Sequence, residues 1–113
     1  MNPLNLLVLR CQDLEKSRSF YKCFGFSFTR HSHGKGPEHL ASEETGFVFE
    51  LYPAVEQTTR DQTGLGFDAS DLAIVSERLV RAGFAPEAVK DNPWGKTFVV
   101  RDPDGRRVEV KQA

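Results

Sequence analysis

The sequence predicts an α+β fold built from two like βαβββ units. The first observation behind this is a near-duplication. Asp13-Leu14 returns as Asp71-Leu72, and Gly25-Phe26 returns as Gly83-Phe84, each 58 positions on. The second is a later echo. Val48-Phe49-Glu50-Leu51 returns as Arg107-Val108-Glu109-Val110, 59 positions on, so one residue was inserted between. The third is order: each copy runs from an apolar stretch through a capped amphipathic segment into short strand-like runs. A repeat of this kind is one supersecondary unit used twice. The length of 113 residues suggests one domain spanning 1–113, with modules over about 1–57 and 62–113. A chain of this size buries roughly two thirds of its unfolded surface, enough for a core without staples.

In the first unit, Leu4-Asn5-Leu6-Leu7-Val8-Leu9 reads as a strand buried on both faces. Asp13 stands where a carboxylate caps a helix. Leu14, Phe20, Tyr21 and Phe24 fall on one face of that helix. Gly25 ends it, because glycine takes the positive φ of a C-terminal cap. Residues 26–31 read as a second strand, 33–37 as a loop rich in glycine and proline, and 39–41 as the start of a third strand. Thr45-Gly46 turns the chain into a fourth strand over 47–52. The polar stretch 53–62 reads as a linker.

The second unit repeats the order. Residues 64–69 form a short strand, and Asp71 caps a helix lined by Leu72, Val75, Leu79 and Ala82. Gly83 ends that helix, and 84–90 is a weak strand. Asn92-Pro93-Trp94-Gly95 is a loop, followed by an alternating strand over 96–101. Asp102-Pro103-Asp104-Gly105 is a strong turn: Asp at its first position, Pro presetting φ at the second, Gly at the fourth. Residues 106–111 close the unit as a last strand.

Composition narrows the function classes. The formal net charge is −1, and Lys and Arg are scattered among acids, which argues against a nucleic-acid partner. No apolar run approaches the roughly 18 residues that span a bilayer. Met1-Asn2-Pro3-Leu4 opens without a basic region or signal-like segment, so a cytoplasmic protein is expected. Cys11 and Cys23 are not in CxxC spacing and are expected to be free thiols, one or both buried.

Asp13-Leu14-Glu15-Lys16-Ser17, with Phe20-Tyr21 and Gly25-Phe26, resembles the opening of the glyoxalase/bleomycin-resistance/extradiol-dioxygenase superfamily, the vicinal oxygen chelate fold. Trp94-Gly95 and the run from Arg101-Asp102-Pro103-Asp104-Gly105 to Val110 resemble its closing hairpin. The resemblance covers nearly the whole chain. It implies paired βαβββ modules whose strands curl into an incomplete eight-stranded barrel around a pocket, with the helices outside. It also implies a homodimer, as members often are. Metal-dependent members place four ligands in the pocket, His or Glu, one from the first and one from the fourth strand of each module. Carried onto this chain, those positions are Leu6 and Glu50, then Gly64 and Glu109. The chain departs from the pattern at both first-strand positions, since Leu6 has an alkyl side chain and Gly64 has none.

Two carboxylates without an imidazole make a hard oxygen site, better suited to Mg²⁺, Ca²⁺ or Mn²⁺ than to Zn²⁺, Fe²⁺ or Ni²⁺. Two ligands hold an ion weakly, and Lewis-acid catalysis needs it held firmly. The expected function is therefore binding of a small, partly apolar molecule, with no cofactor and without the usual metal. The alternative is a glyoxalase-like lyase, isomerase or dioxygenase using a weak divalent metal, with Glu50 and Glu109 as its catalytic groups. A third reading is a structural partner whose cavity is vestigial.

Strand alternation puts Val48, Glu50 and Tyr52 on one face and Phe47, Phe49 and Leu51 on the other. The all-apolar face belongs to the core, so Glu50 faces the pocket. Glu109 shares its face with Arg107 and Lys111, and a solvated, arginine-paired role competes there with a pocket role. His39, Trp94, Tyr52 and Phe98 are expected ligand contacts, together with the vacated positions Leu6 and Gly64. His31, His33 and His39 lie close in sequence and read either as a Zn²⁺ cluster or as an ordinary hairpin. Gly34-Lys35-Gly36 lacks the full phosphate-loop pattern and opens no helix.

Overall fold

The computed structural model describes residues 1–44, 46–55 and 61–113. The chain divides into two compact units, Met1–Thr58 and Thr59–Ala113. In the first, β1 (Leu6–Cys11) leads into α1 (Leu14–Lys22), followed by β2 (Thr29–His31), β3 (His39–Ser42) and β4 (Val48–Pro53). The second holds β5 (Leu65–Ala69), α2 (Leu72–Arg81), β6 (Lys90–Asn92), β7 (Gly95–Arg101) and β8 (Arg107–Gln112). Each unit is thus βαβββ.

The strands form two four-stranded sheets, ordered β1-β4-β3-β2 and β5-β8-β7-β6. In each, the first strand runs parallel to the fourth and the other pairs are antiparallel. A parallel pair needs a long crossover, and the intervening helix and two strands supply it.

Both helices start as the sequence predicts. The Asp13 carboxylate accepts from the backbone N–H groups of Glu15 and Lys16, and the Asp71 carboxylate from those of Ala73 and Ile74. Each cap satisfies otherwise orphaned donors and is worth about 1 kcal/mol. Gly25 and Gly83 sit at φ +96° and +92°, where a Cβ would be strained. At α2, Gly83 N–H donates to Val80 O and Phe84 N–H to Leu79 O, the paired bonds of a Schellman cap.

The core of the first unit lies between α1 and the sheet. Phe20, Tyr21, Phe26, Leu40, Phe49 and Leu51 are buried there, with Phe49 meeting Tyr21 and Phe26 edge-on at 5.0 Å. In the second unit Leu72, Val75 and Leu79 bury one face of α2, and Phe98, Val100, Val108 and Val110 are buried on the sheet. Cys11 and Cys23 are buried thiols with no disulfide between them. Among the described residues, no helix is long and apolar enough to cross a membrane.

Three readings need correction. The first strand is not buried on both faces: Leu6 and Val8 are 47% and 38% exposed, while Leu9 and Cys11 are buried. β1 lies at the edge of its sheet and only alternate residues face the core. The second strand shrinks to Thr29–His31 because Phe26 and Phe28 join the aromatic core instead. The weak strand over 84–90 shrinks to Lys90–Asn92. Ahead of it, Glu87 N–H donates to Val99 O as an isolated bond. The expected turn at Thr45 and half of the expected linker, residues 56–60, lie outside the described residues.

Candidate functional site

The sheet of the first unit has one face in the core and one that carries polar groups. Register places these groups in rows. Val8 pairs with Glu50, Glu50 with Ala41 and Ala41 with Thr29, one row across all four strands. The next row begins with Arg10 paired to Tyr52 and ends with His39 paired to His31. Tyr52 and His39 join its halves, because their rings stack face to face at 4.2 Å with an interplanar angle of 6°. The Arg10 guanidinium lies 4.9 Å from the centre of the Tyr52 ring, within cation–π range. Leu6 and Val48 form a third, apolar row.

His39 is held on every side. It is 2% exposed, Tyr52 covers one ring face, and its Nδ1 lies 3.3 Å from Pro37 O. Its Nε2 approaches Glu50 Oε2 to 3.3 Å. That approach is not a hydrogen bond, and Nε2 remains a buried nitrogen with none. The Glu50 side chain is 19% exposed, so the carboxylate is the accessible half of the pair.

The histidines gather but do not converge as a metal cluster. His31 and His39 stack at 5.8 Å, His31 and His33 at 5.9 Å, and His33 lies 5.3 Å from His39. His31 Nε2 is 2.9 Å from Thr29 Oγ1. Among the described residues, no group of three His, Cys, Asp or Glu side chains is placed to hold a metal ion. Leu6, the first-strand position expected from the resemblance, pairs with Val48, and Val8 is the β1 residue opposite Glu50; neither side chain offers a ligand atom.

In the second unit the equivalent row is Gly66, Glu109 and Val99. Glu109 lies 3.7 Å from Arg107 Nη2 and its side chain is 32% exposed, the arginine-paired arrangement. The row beside it is Asp68, Lys111, Thr97 and Lys90, with Asn92 Nδ2 donating to Thr97 Oγ1 at 2.7 Å. The two copies therefore keep a carboxylate at one register position and differ in the row beside it. Gly64 precedes β5 and is exposed. Trp94 lies exposed at the tip of the β6–β7 hairpin. Phe98 is a core residue: it is 1% exposed, and its neighbour Val99 is the one that shares a row with Glu109.

Two features escaped sequence reasoning. Arg10 is one; its signal is that it alternates with Leu6 and Val8 on the exposed side of β1. The other is a buried ion cluster. Arg106, 1% exposed, donates from Nε to Asp61 Oδ2 at 2.7 Å and from Nη1 to Asp102 Oδ2 at 2.9 Å. Asp102 Oδ1 in turn accepts from the backbone N–H groups of Asp104 and Arg106, closing the turn. Hydrogen bonds from the Thr63 side chain and backbone, and then Arg106, hold the Asp61 carboxyl down at about 2. Burial works against the Arg106 charge, yet its bonds to Asp102 and Asp61 win and push its pKa up. The cluster fastens the chain before β5 to the β7–β8 turn, a structural role.

The sequence profile of the Glyoxalase/Bleomycin resistance protein/Dioxygenase superfamily matches residues 4–110. No protein of curated function matches the chain. Among solved structures, the chain is similar to TnmS3, an antibiotic binding protein from Streptomyces sp. CB03234. Identity is 23%, with 99% of this chain and 96% of that one covered and a TM-score of 0.79. It is also similar to a glyoxalase-related enzyme from Fulvimarina pelagi, at 26% identity, with 100% and 89% covered and a TM-score of 0.76. A lactoylglutathione lyase from Agrobacterium tumefaciens follows at 22% identity, with 100% and 95% covered and a TM-score of 0.69.

Proposed function

The chain belongs to the glyoxalase/bleomycin resistance/dioxygenase superfamily, and on that premise we propose that it binds a small, partly apolar molecule without the family's usual metal. The observation that carries this reading is the non-core face of the first sheet. There, exposed Leu6 and Val8 lie beside Glu50, His39 and Tyr52. A small-molecule site combines apolar wall with a few fixed polar groups, and this face has both. The family's first-strand ligand positions, Leu6 and Gly64, supply no donor atom. The antibiotic-binding neighbour lends the reading a precedent on the same fold. The proposal includes a cytoplasmic homodimer with no nucleic-acid partner, in keeping with the near-neutral charge.

The test is thermal denaturation of the metal-free protein against a library of small aromatic and heteroaromatic compounds. A ligand present at about 100 times its Kd stabilises the fold by about 2.7 kcal/mol. The reading predicts such stabilisation, unchanged by chelator. Mass-spectrometric metal analysis after dialysis against Mn²⁺, Ni²⁺ and Zn²⁺ is the companion measurement. Stoichiometric metal that disappears in Glu50→Gln would overturn the metal-free reading in favour of a metal-dependent enzyme.

A further inference from the structure

We infer that the molecule bound on the first sheet carries an N–H or O–H donor that is held between His39 and Glu50; this rests on the binding reading above. The argument is one of hydrogen-bond supply. His39 Nδ1 faces Pro37 O at 3.3 Å. A backbone carbonyl only accepts, so Nδ1 is the nitrogen that carries the proton. In a neutral ring Nε2 is then left with a lone pair. Nε2 is buried and has no hydrogen bond. At 3.3 Å it faces Glu50 Oε2, and an ionised carboxylate also only accepts. In this neutral form two acceptors face each other with no donor between them. A buried acceptor left unmatched costs free energy, and a donor that arrives there recovers it.

The same geometry says how the donor enters. The Glu50 side chain is 19% exposed and that of His39 is 3% exposed, so an incoming group meets the carboxylate first. Nε2 is buried, so the proposal requires the Glu50 side chain to turn as the donor enters. The imidazole itself is fixed by its stack on Tyr52. Exposed Val8, paired with Glu50, and exposed Leu6 offer apolar surface to the rest of the molecule. The ligand class is thus an amide, phenol or azole on a partly apolar body. Molecules whose polar atoms only accept do not complete the pair.

The test uses two matched probe pairs on the wild-type chain: benzimidazole with 1-methylbenzimidazole, and phenol with anisole. Within each pair a methyl group replaces the donated hydrogen. Binding is followed by NMR at the backbone amides of Ala41, Glu50 and Tyr52 and at the His39 ring nitrogens. The donor-bearing member should shift the Nε2 resonance and bind roughly tenfold or more tighter than its methylated partner. Glu50→Gln, whose amide can itself donate to Nε2, should erase that preference. The wild-type comparison needs no variant to fold. Equal binding of both members at these residues would overturn the donor inference while leaving the binding reading intact. So would a ligand-free His39 protonated on both nitrogens near neutral pH, because a proton would then already fill the gap. No binding by any of the four probes, with no stabilisation by any library compound, would overturn both readings.

Discussion

His39 and Glu50 meet across β3 and β4 with Nε2 and Oε2 at 3.3 Å, and no hydrogen bond joins them. With a neutral imidazole both atoms are acceptors, so the contact holds less than its proximity suggests. The pair is therefore a place where stability has been left unclaimed. Stability is commonly lower at sites shaped for binding.

Glu50→Gln follows directly from that relationship. The new amide presents an N–H₂ group to His39 Nε2 in nearly the same volume. One satisfied bond contributes about 0.5–1.5 kcal/mol. Urea denaturation should therefore show the variant as stable as the parent or more stable by about that amount. A loss of more than about 1 kcal/mol would mean that the carboxylate is a net stabilising partner of His39.

Tyr52 is predicted to act through its ring. It lies between the Arg10 guanidinium at 4.9 Å and the His39 imidazole at 4.2 Å. Aromatic stacking adds about 0.5–1.5 kcal/mol beyond area burial. Tyr52→Phe should retain nearly all the stability and Tyr52→Ala should lose about 1–3 kcal/mol, read as a shift in denaturation midpoint. Equal losses in the two variants would move the role to the hydroxyl.

The duplication made much of this legible. Asp13 and Asp71, Gly25 and Gly83 carry a physical requirement each, a cap and a positive φ, so their recurrence predicted two helices with defined ends. Alternation along β4 correctly separated Glu50 from Phe49 and Leu51. Sequence could not assign Phe98, because an alternating strand has two faces and the residue alone does not say which is the core. Nor could it find the Arg10–Tyr52–His39–His31 row. That row exists only through register between four strands, and register is a property of pairing rather than of any one segment. The Arg106 cluster was hidden for a related reason: Asp61 and Arg106 are 45 residues apart.

Arg106 is predicted to be the most sensitive charged position in the second unit. Its guanidinium is the partner of Asp102, whose side chain is 0% exposed. Removing the cation strands a buried carboxylate, which costs about 3–5 kcal/mol. Arg106→Ala should lose stability of that order in chemical denaturation. Arg106→Lys should recover only part of it, since an ammonium lacks the planar fork that serves Asp61 and Asp102 together. Full recovery by lysine would show that charge alone suffices.

Asp61 gives the chain a defined acid response. Its carboxyl titrates at about 2 in the folded chain against an ordinary 3.8. The folded value is the lower one, so its contribution is fully present above 3.8 and disappears as pH falls from 3.8 towards about 2. The side chain is 39% exposed, so solvent screening limits that contribution to about 1 kcal/mol or less. Asp61→Asn should therefore lower stability slightly at neutral pH and flatten its decline between about pH 4 and pH 2. Denaturation midpoints of the two proteins across that window make the check. Curves that stay parallel down to about pH 2 would show that Asp61 is not the carboxylate responsible.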